Sequence, residues 1–193
     1  MFDIPDETEA MIFDCDGTLV DSMGIHWNAI HKTFASFDKN CPQHFLEERA
    51  GVPLADVIYQ FNEKYNENID VDEFFERKHE YSKDSLKNVK PILPVVNIAQ
   101  NHHPEKPMAV VSGGSQENVN RSLKNIGLED HFDPVLTADT PLPPKPAPHL
   151  YLEAAERMDV KPGKCLVFED GKSGIKGAKK AGMGVININE YNI

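Results

Sequence analysis

Two acidic pairs, Asp14-Cys15-Asp16 and Glu169-Asp170, are the residues best able to do chemistry in this chain. Each follows a short apolar run, over 10–13 and 165–168, and each precedes a glycine, Gly17 or Gly171. Four carboxylates at neighbouring strand ends would repel one another in a low-dielectric crevice. A divalent cation removes that penalty, and hard oxygen ligands favour magnesium over zinc.

Two further segments carry the opposite character. Ser112-Gly113-Gly114-Ser115 follows the apolar run 108–111 and stands before a helical stretch. A hydroxyl, close backbone approach at glycine and a helix N-terminus together make an anion site. Lys145 lies in Pro143-Pro144-Lys145-Pro146-Ala147-Pro148, where the prolines restrict the backbone on both sides. Acid pairs, a metal, a hydroxyl and a fixed ammonium form the set that phosphoryl transfer needs, because its catalysis is mostly positioning and charge neutralisation.

These residues require elements to hold them. Continuous apolar runs at 10–13, 108–111, 134–138, 165–168 and 184–188 read as parallel strands buried on both faces. Helices are expected over 115–126, 146–158 and 173–181, with Ser115 and Ser173 as N-caps and Gly127 and Gly182 as stops. The alternation predicts an α/β fold with a doubly wound parallel sheet, whose ligands bind at the carboxyl ends of the strands. Residues 21–88 break the alternation. Helical periodicity at 25–37, 54–65 and 71–86 is far too long for one crossover and predicts an inserted all-helical cap domain. The core domain would then be 1–20 with 89–193, and the cap 21–88.

The chain has 193 residues, 20 Lys+Arg against 31 Asp+Glu and a formal net charge of −11. That sign opposes nucleic acid and anionic membranes as main partners. The three cysteines, Cys15, Cys41 and Cys165, read as reduced thiols, and no apolar run is long enough for a membrane span. A cytoplasmic location is expected. Gly171-Lys172-Ser173 ends like a phosphate-binding loop, but the glycine needed five residues earlier is Leu166. His102-His103 read as solvated, and Trp27 with Phe74-Phe75 as cap core.

The motifs Asp14-Cys15-Asp16-Gly17-Thr18, Ser112-Gly113-Gly114, Lys145-Pro146-Ala147-Pro148 and Glu169-Asp170-Gly171 resemble the haloacid dehalogenase superfamily. Within it the chain looks like the β-phosphoglucomutase-like group, near small fructose-1-phosphate phosphatase-type enzymes. The resemblance spans about residues 11–188 and implies a magnesium-dependent phosphatase of a small phosphorylated sugar or related metabolite, expected to be a monomer. By resemblance, Asp14 is the nucleophile and Asp16 the general acid and base. Magnesium is bound by Asp14, the Asp16 carbonyl and Asp170, with Glu169 a direct or indirect partner. Ser112, Gly113 and Lys145 hold the phosphoryl group. His26, Gly51 and Lys78 match positions in the cap that meet substrate in relatives. After Gly51-Val52-Pro53 the mutases carry a basic residue for a distal phosphate, whereas Leu54, Ala55 and Asp56 follow here. A sugar-phosphate mutase is therefore the alternative enzyme, and a non-catalytic sugar-phosphate-binding regulator the alternative of another class.

Overall fold

The computed structural model describes residues 2–49, 52–83, 89–103 and 105–191. Its chain contacts group into two units, Met1–Ser22 with Val89–Ile193, and Met23–Asn88.

The first unit is built on β1 (Ala10–Phe13), β4 (Met108–Val111), β5 (Val135–Leu136), β6 (Cys165–Glu169) and β7 (Gly184–Asn187). They form one parallel sheet in the order β5-β4-β1-β6-β7. Every residue of β1, β4 and β6 is buried, as continuous apolar runs require when both faces are covered. On one face Ala10, Ile12, Ala109, Val111 and Val167 pack with Leu150, Tyr151 and Ala154 of α7 (His149–Arg157) and Ala178 of α8 (Lys172–Lys180). Phe13 stacks on Phe168 with ring centroids 4.8 Å apart. Edge strands β5 and β7 are partly exposed. Two more helices, α5 (Leu93–His102) and α6 (Gln116–Asn125), bury Val95, Val96, Ala99, Val119 and Leu123.

The helical stretches start and stop somewhat differently from the sequence expectation. Ser115 does cap α6, accepting from the Asn118 amide, and Gly127 and Gly182 take the positive φ of a helix stop. Gly171 rather than Ser173 is the N-cap of α8, because the Glu169 carboxylate already accepts the Gly171 amide. The helix expected from 146 begins only at His149. Ala147 first closes a turn onto the Pro144 carbonyl, and Pro146 and Pro148 have no amide to donate. The segment 134–138 pairs only over two residues, after which Ala138 bonds back to the Gly114 carbonyl. Helix α5 and a short antiparallel pair, β2 (Val20–Asp21) with β3 (Lys90–Pro91), had no sequence expectation. Two residues are too few for a period to show.

The second unit holds α1 (Met23–Ser36), α2 (Gln43–Glu47), α3 (Leu54–Tyr65) and α4 (Val71–Lys83). Its core joins Phe34, Phe45, Ile58, Phe61 and Phe74, with Trp27 packed at the margin. Arg77 ties α4 to α1 by donating to the Ser36 carbonyl at 2.6 Å. Phe75 departs from the expected core role. It is 43% exposed, because the residue next to a buried helical position turns about 100° away.

Candidate active site

β1 ends by delivering Asp14, whose amide donates to the Phe168 carbonyl on β6 at 3.0 Å. Beyond it the backbone folds into a tight loop, with the Leu19 and Val20 amides donating to the Cys15 carbonyl. Gly17 makes that loop possible. Its φ is +86°, and a Cβ there would stand 2.3 Å from Asp170 Oδ2. Thr18 Oγ1 in the same loop donates to Asp170 Oδ1 at 3.2 Å, joining the first acidic pair to the second. Asp16 Oδ1 accepts from the fully buried Ser22 hydroxyl at 2.5 Å.

Lys145 closes the cluster from a distant part of the chain. Its Nζ lies 2.7 Å from Asp14 Oδ1 and 2.7 Å from Glu169 Oε2. The lysine side chain is 9% exposed, so both pairs are shielded from solvent. Glu169 is fully engaged, since Oε2 also accepts from Tyr151 Oη at 2.9 Å and Oε1 accepts the Gly171 amide at 3.0 Å.

Ser112 ends β4 with its amide on the Leu136 carbonyl, and its Oγ accepts the Gly114 amide at 3.0 Å. A Cβ on Gly114 would stand 3.3 Å from Asp16 Oδ2 and 3.4 Å from Ser112 Oγ, so the glycine turn lies directly against Asp16. A Cβ on Gly113 would meet nothing within 4 Å.

The electrostatics follow from burial. Desolvation, then the charge of Glu169, raises the Asp14 carboxyl well above the ordinary value, even against the lowering effect of Lys145. Desolvation and Glu169 likewise push Asp170 up to about 6. For Lys145, burial alone would weaken the ammonium, but Asp14 and Glu169 outweigh it and hold its pKa well above the usual lysine value. Burial also raises Tyr151, which keeps the phenol a donor.

The structure thus gathers Asp14, Asp16, Ser112, Lys145, Glu169 and Asp170 at the carboxyl ends of β1, β4 and β6, with Gly113 beside them. Carboxylate oxygens of Asp14, Glu169 and Asp170 all lie within 4.8 Å of one another. The Asp16 carboxylate is outside that set, so a ligand from Asp16 would have to be its backbone carbonyl. In the helical unit, Lys78 Nζ lies 3.4 Å from His26 Nδ1. Gly51 lies outside the described residues.

The sequence reading assigned no role to Tyr151, Ser22 or Asn189, whose Nδ2 donates to the Asp170 carbonyl at 2.7 Å. No motif marks them, because each meets its partner only through the tertiary fold. His102 and His103 are placed off this site. The His103 ring packs on His131, with centroids 4.5 Å apart.

The sequence profile of the haloacid dehalogenase-like hydrolases matches residues 11–188. The chain belongs to the haloacid dehalogenase-like hydrolase family. This hydrolase is 31% identical to the fructose-1-phosphate phosphatase YqaB of Escherichia coli over 181 residues, 92% of this chain and 95% of that protein. It is 30% identical to a phosphorylated carbohydrates phosphatase of Thermotoga maritima over 177 residues, 91% of this chain and 82% of the relative. Its fold is that of the beta-phosphoglucomutase of Clostridium difficile, with a TM-score of 0.78 at 23% identity, covering 93% of this chain and 84% of that one. The α/β core of the hydrolase, with its five-stranded parallel sheet, is the part that carries the catalytic candidates.

Proposed function

We propose that the hydrolase is a magnesium-dependent phosphatase of small phosphorylated sugars or similar metabolites, working through a phosphorylated Asp14. The observation that carries this reading is one cluster, in which Lys145 bridges Asp14 and Glu169 at 2.7 Å while Ser112 and Asp170 follow β4 and β6, the strands on either side of β1. Its similarity to phosphatases of sugar phosphates supports the substrate class.

The donor set suits magnesium. Three buried or half-buried carboxylates converge, all donors are hard oxygens, and burial with mutual repulsion raises two of them. Asp14 and Asp170 would hold the ion by their carboxylates and Asp16 by its carbonyl, with Glu169 backing them through Lys145. Magnesium bound there would keep the carboxylates ionised and would neutralise charge on the phosphoryl oxygens.

The protein groups then divide the work. Lys145, the Ser112 hydroxyl and the Gly113 amide hold the phosphoryl oxygens. A carboxylate oxygen of Asp14 forms a bond to phosphorus as the ester P–O bond breaks, and Asp16 gives its proton to the leaving alcohol. Asp16 next takes a proton from water, which attacks the phosphoaspartate and releases inorganic phosphate, restoring Asp14. The helical insertion, through His26, Gly51 and Lys78, selects the alcohol. The mutase alternative would need a basic residue where Leu54, Ala55 and Asp56 stand.

Incubation of the purified protein with a panel of sugar phosphates and an aryl phosphate tests the reading. Steady release of inorganic phosphate with magnesium, abolished by chelation together with phosphate binding, is the expected result. A panel that yields no phosphate rejects it.

The same cluster makes a pH prediction. Asp170 has a folded pKa of about 6, above the ordinary carboxylate value that the unfolded chain takes. The folded state therefore binds more protons between about pH 4 and 6, and its stability falls as pH rises through that window. In metal-free protein, the melting temperature relative to an Asp170→Asn variant should drop from pH 4 to 6. Saturating magnesium should erase the drop. A difference that is flat in the metal-free protein would contradict the placement of Asp170.

A further inference from the structure

Tyr151 is the one fully buried tyrosine among the described residues, and its hydroxyl is aimed at the site from the core side. The ring packs with Leu150, Ala154 and the strand residues Ile12, Ala109 and Val167. A phenylalanine would fill that apolar space equally well, so packing alone does not call for the hydroxyl. Helix α8 makes room for it with two glycines on one face. A Cβ on Gly177 would stand 3.0 Å from Tyr151 Cε2, and one on Gly174 only 1.8 Å from Glu169 Oε2. The ring is thus closely packed against α8 at Gly177, and the carboxylate lies where a side chain at Gly174 would stand.

Hydrogen-bond counting shows what the hydroxyl does. Glu169 Oε2 accepts from both Tyr151 Oη and Lys145 Nζ, and Oε1 accepts from Gly171. With three donors on it, the Glu169 carboxylate has a single orientation. Lys145 spends one N–H on Glu169 and one on Asp14, and an ammonium has three.

We infer that Tyr151 is a positioning residue of the phosphoryl site. Its hydroxyl fixes Glu169, and Glu169 fixes Lys145 so that the third N–H points to the phosphoryl oxygen. The inference rests on the phosphatase reading and adds to it a residue that never touches substrate.

The test is Tyr151→Phe, which removes one oxygen and keeps the ring. Turnover should fall about tenfold, the scale of one hydrogen bond to a charged group. Calorimetry with inorganic phosphate at saturating magnesium should show a similar, about tenfold, weakening. A double-mutant cycle supplies the second readout. In a Glu169→Ala background, Tyr151→Phe should cost phosphate affinity less than threefold, because the acceptor that links the hydroxyl to Lys145 is gone.

A lowered melting temperature with turnover and phosphate affinity unchanged would show a merely structural hydroxyl and overturn the inference. The same loss in both backgrounds would also overturn it, since Tyr151 would then not act through Glu169. A parent enzyme without turnover on any ester would instead reject the phosphatase reading, and this inference with it.

Discussion

Asp14→Asn is expected to lower magnesium-dependent phosphate release by about a thousandfold or more, the scale of losing a covalent nucleophile. The amide is nearly the same size but has no anionic oxygen to attack phosphorus. The fold should survive, for a reason visible in the site. Asp14 is buried, and its carboxyl is raised by desolvation and by Glu169 and Asp170, so its charge is a burden to the metal-free protein. Lys145 keeps its partner Glu169 at 2.7 Å after the change. The melting temperature without metal should stay at or above that of the parent. Acid-quenched protein examined by mass spectrometry should carry a phosphoryl adduct in the parent and none in the variant. An Asp14→Asn protein with parental turnover would remove Asp14 from the reaction.

Lys145→Met should have the largest effect on stability. Methionine matches the length of the lysine stem but leaves Asp14 and Glu169 buried without their cation. Breaking a buried pair from one side costs about 3–5 kcal/mol. For a chain of this size that is about 10 °C in melting temperature. The loss should depend on pH in a definite sense. With Lys145 gone, the folded-state pKa of Asp14 rises further above its unfolded value, because the lowering charge has been removed. The variant therefore loses stability as pH rises from about 4, and its deficit should shrink in acid. Magnesium should recover part of the deficit at neutral pH by supplying positive charge to the same carboxylates. Thermal melts from pH 4 to 8, with and without magnesium, measure both effects. A deficit equal at every pH would place Lys145 outside the acidic cluster. Turnover should also fall steeply, since the proposed mechanism assigns Lys145 to the phosphoryl group.

The strands were legible because burial on both faces leaves an unbroken apolar run, as in Met108–Val111 and in Cys165–Phe168 before Glu169. The candidate site was legible because its residues cluster in short motifs at the ends of those runs. Less legible were contacts made across long separations. Ser22 is six residues from Asp16, but Tyr151 and Glu169 are 18 apart and Thr18 and Asp170 are 152 apart. Periodicity reports which face of a helix is apolar. It cannot report that the phenol oxygen of Tyr151 meets a carboxylate.

The net charge of −11 shows the same division. Composition alone sets the sign of the whole protein and opposes polyanions as partners. Local sign is decided by which charges the fold brings together, and here it draws Lys145 in between Asp14 and Glu169 from 131 and 24 residues away. The sequence by itself determined the α/β core and the motif residues, since local patterning and spacing encode both. Only the tertiary structure decided that Glu169 is held by Lys145, Tyr151 and Gly171, and that Gly17 and Gly174 leave room for the acids. Those are packing facts, and they come into being when distant segments share one low-dielectric volume.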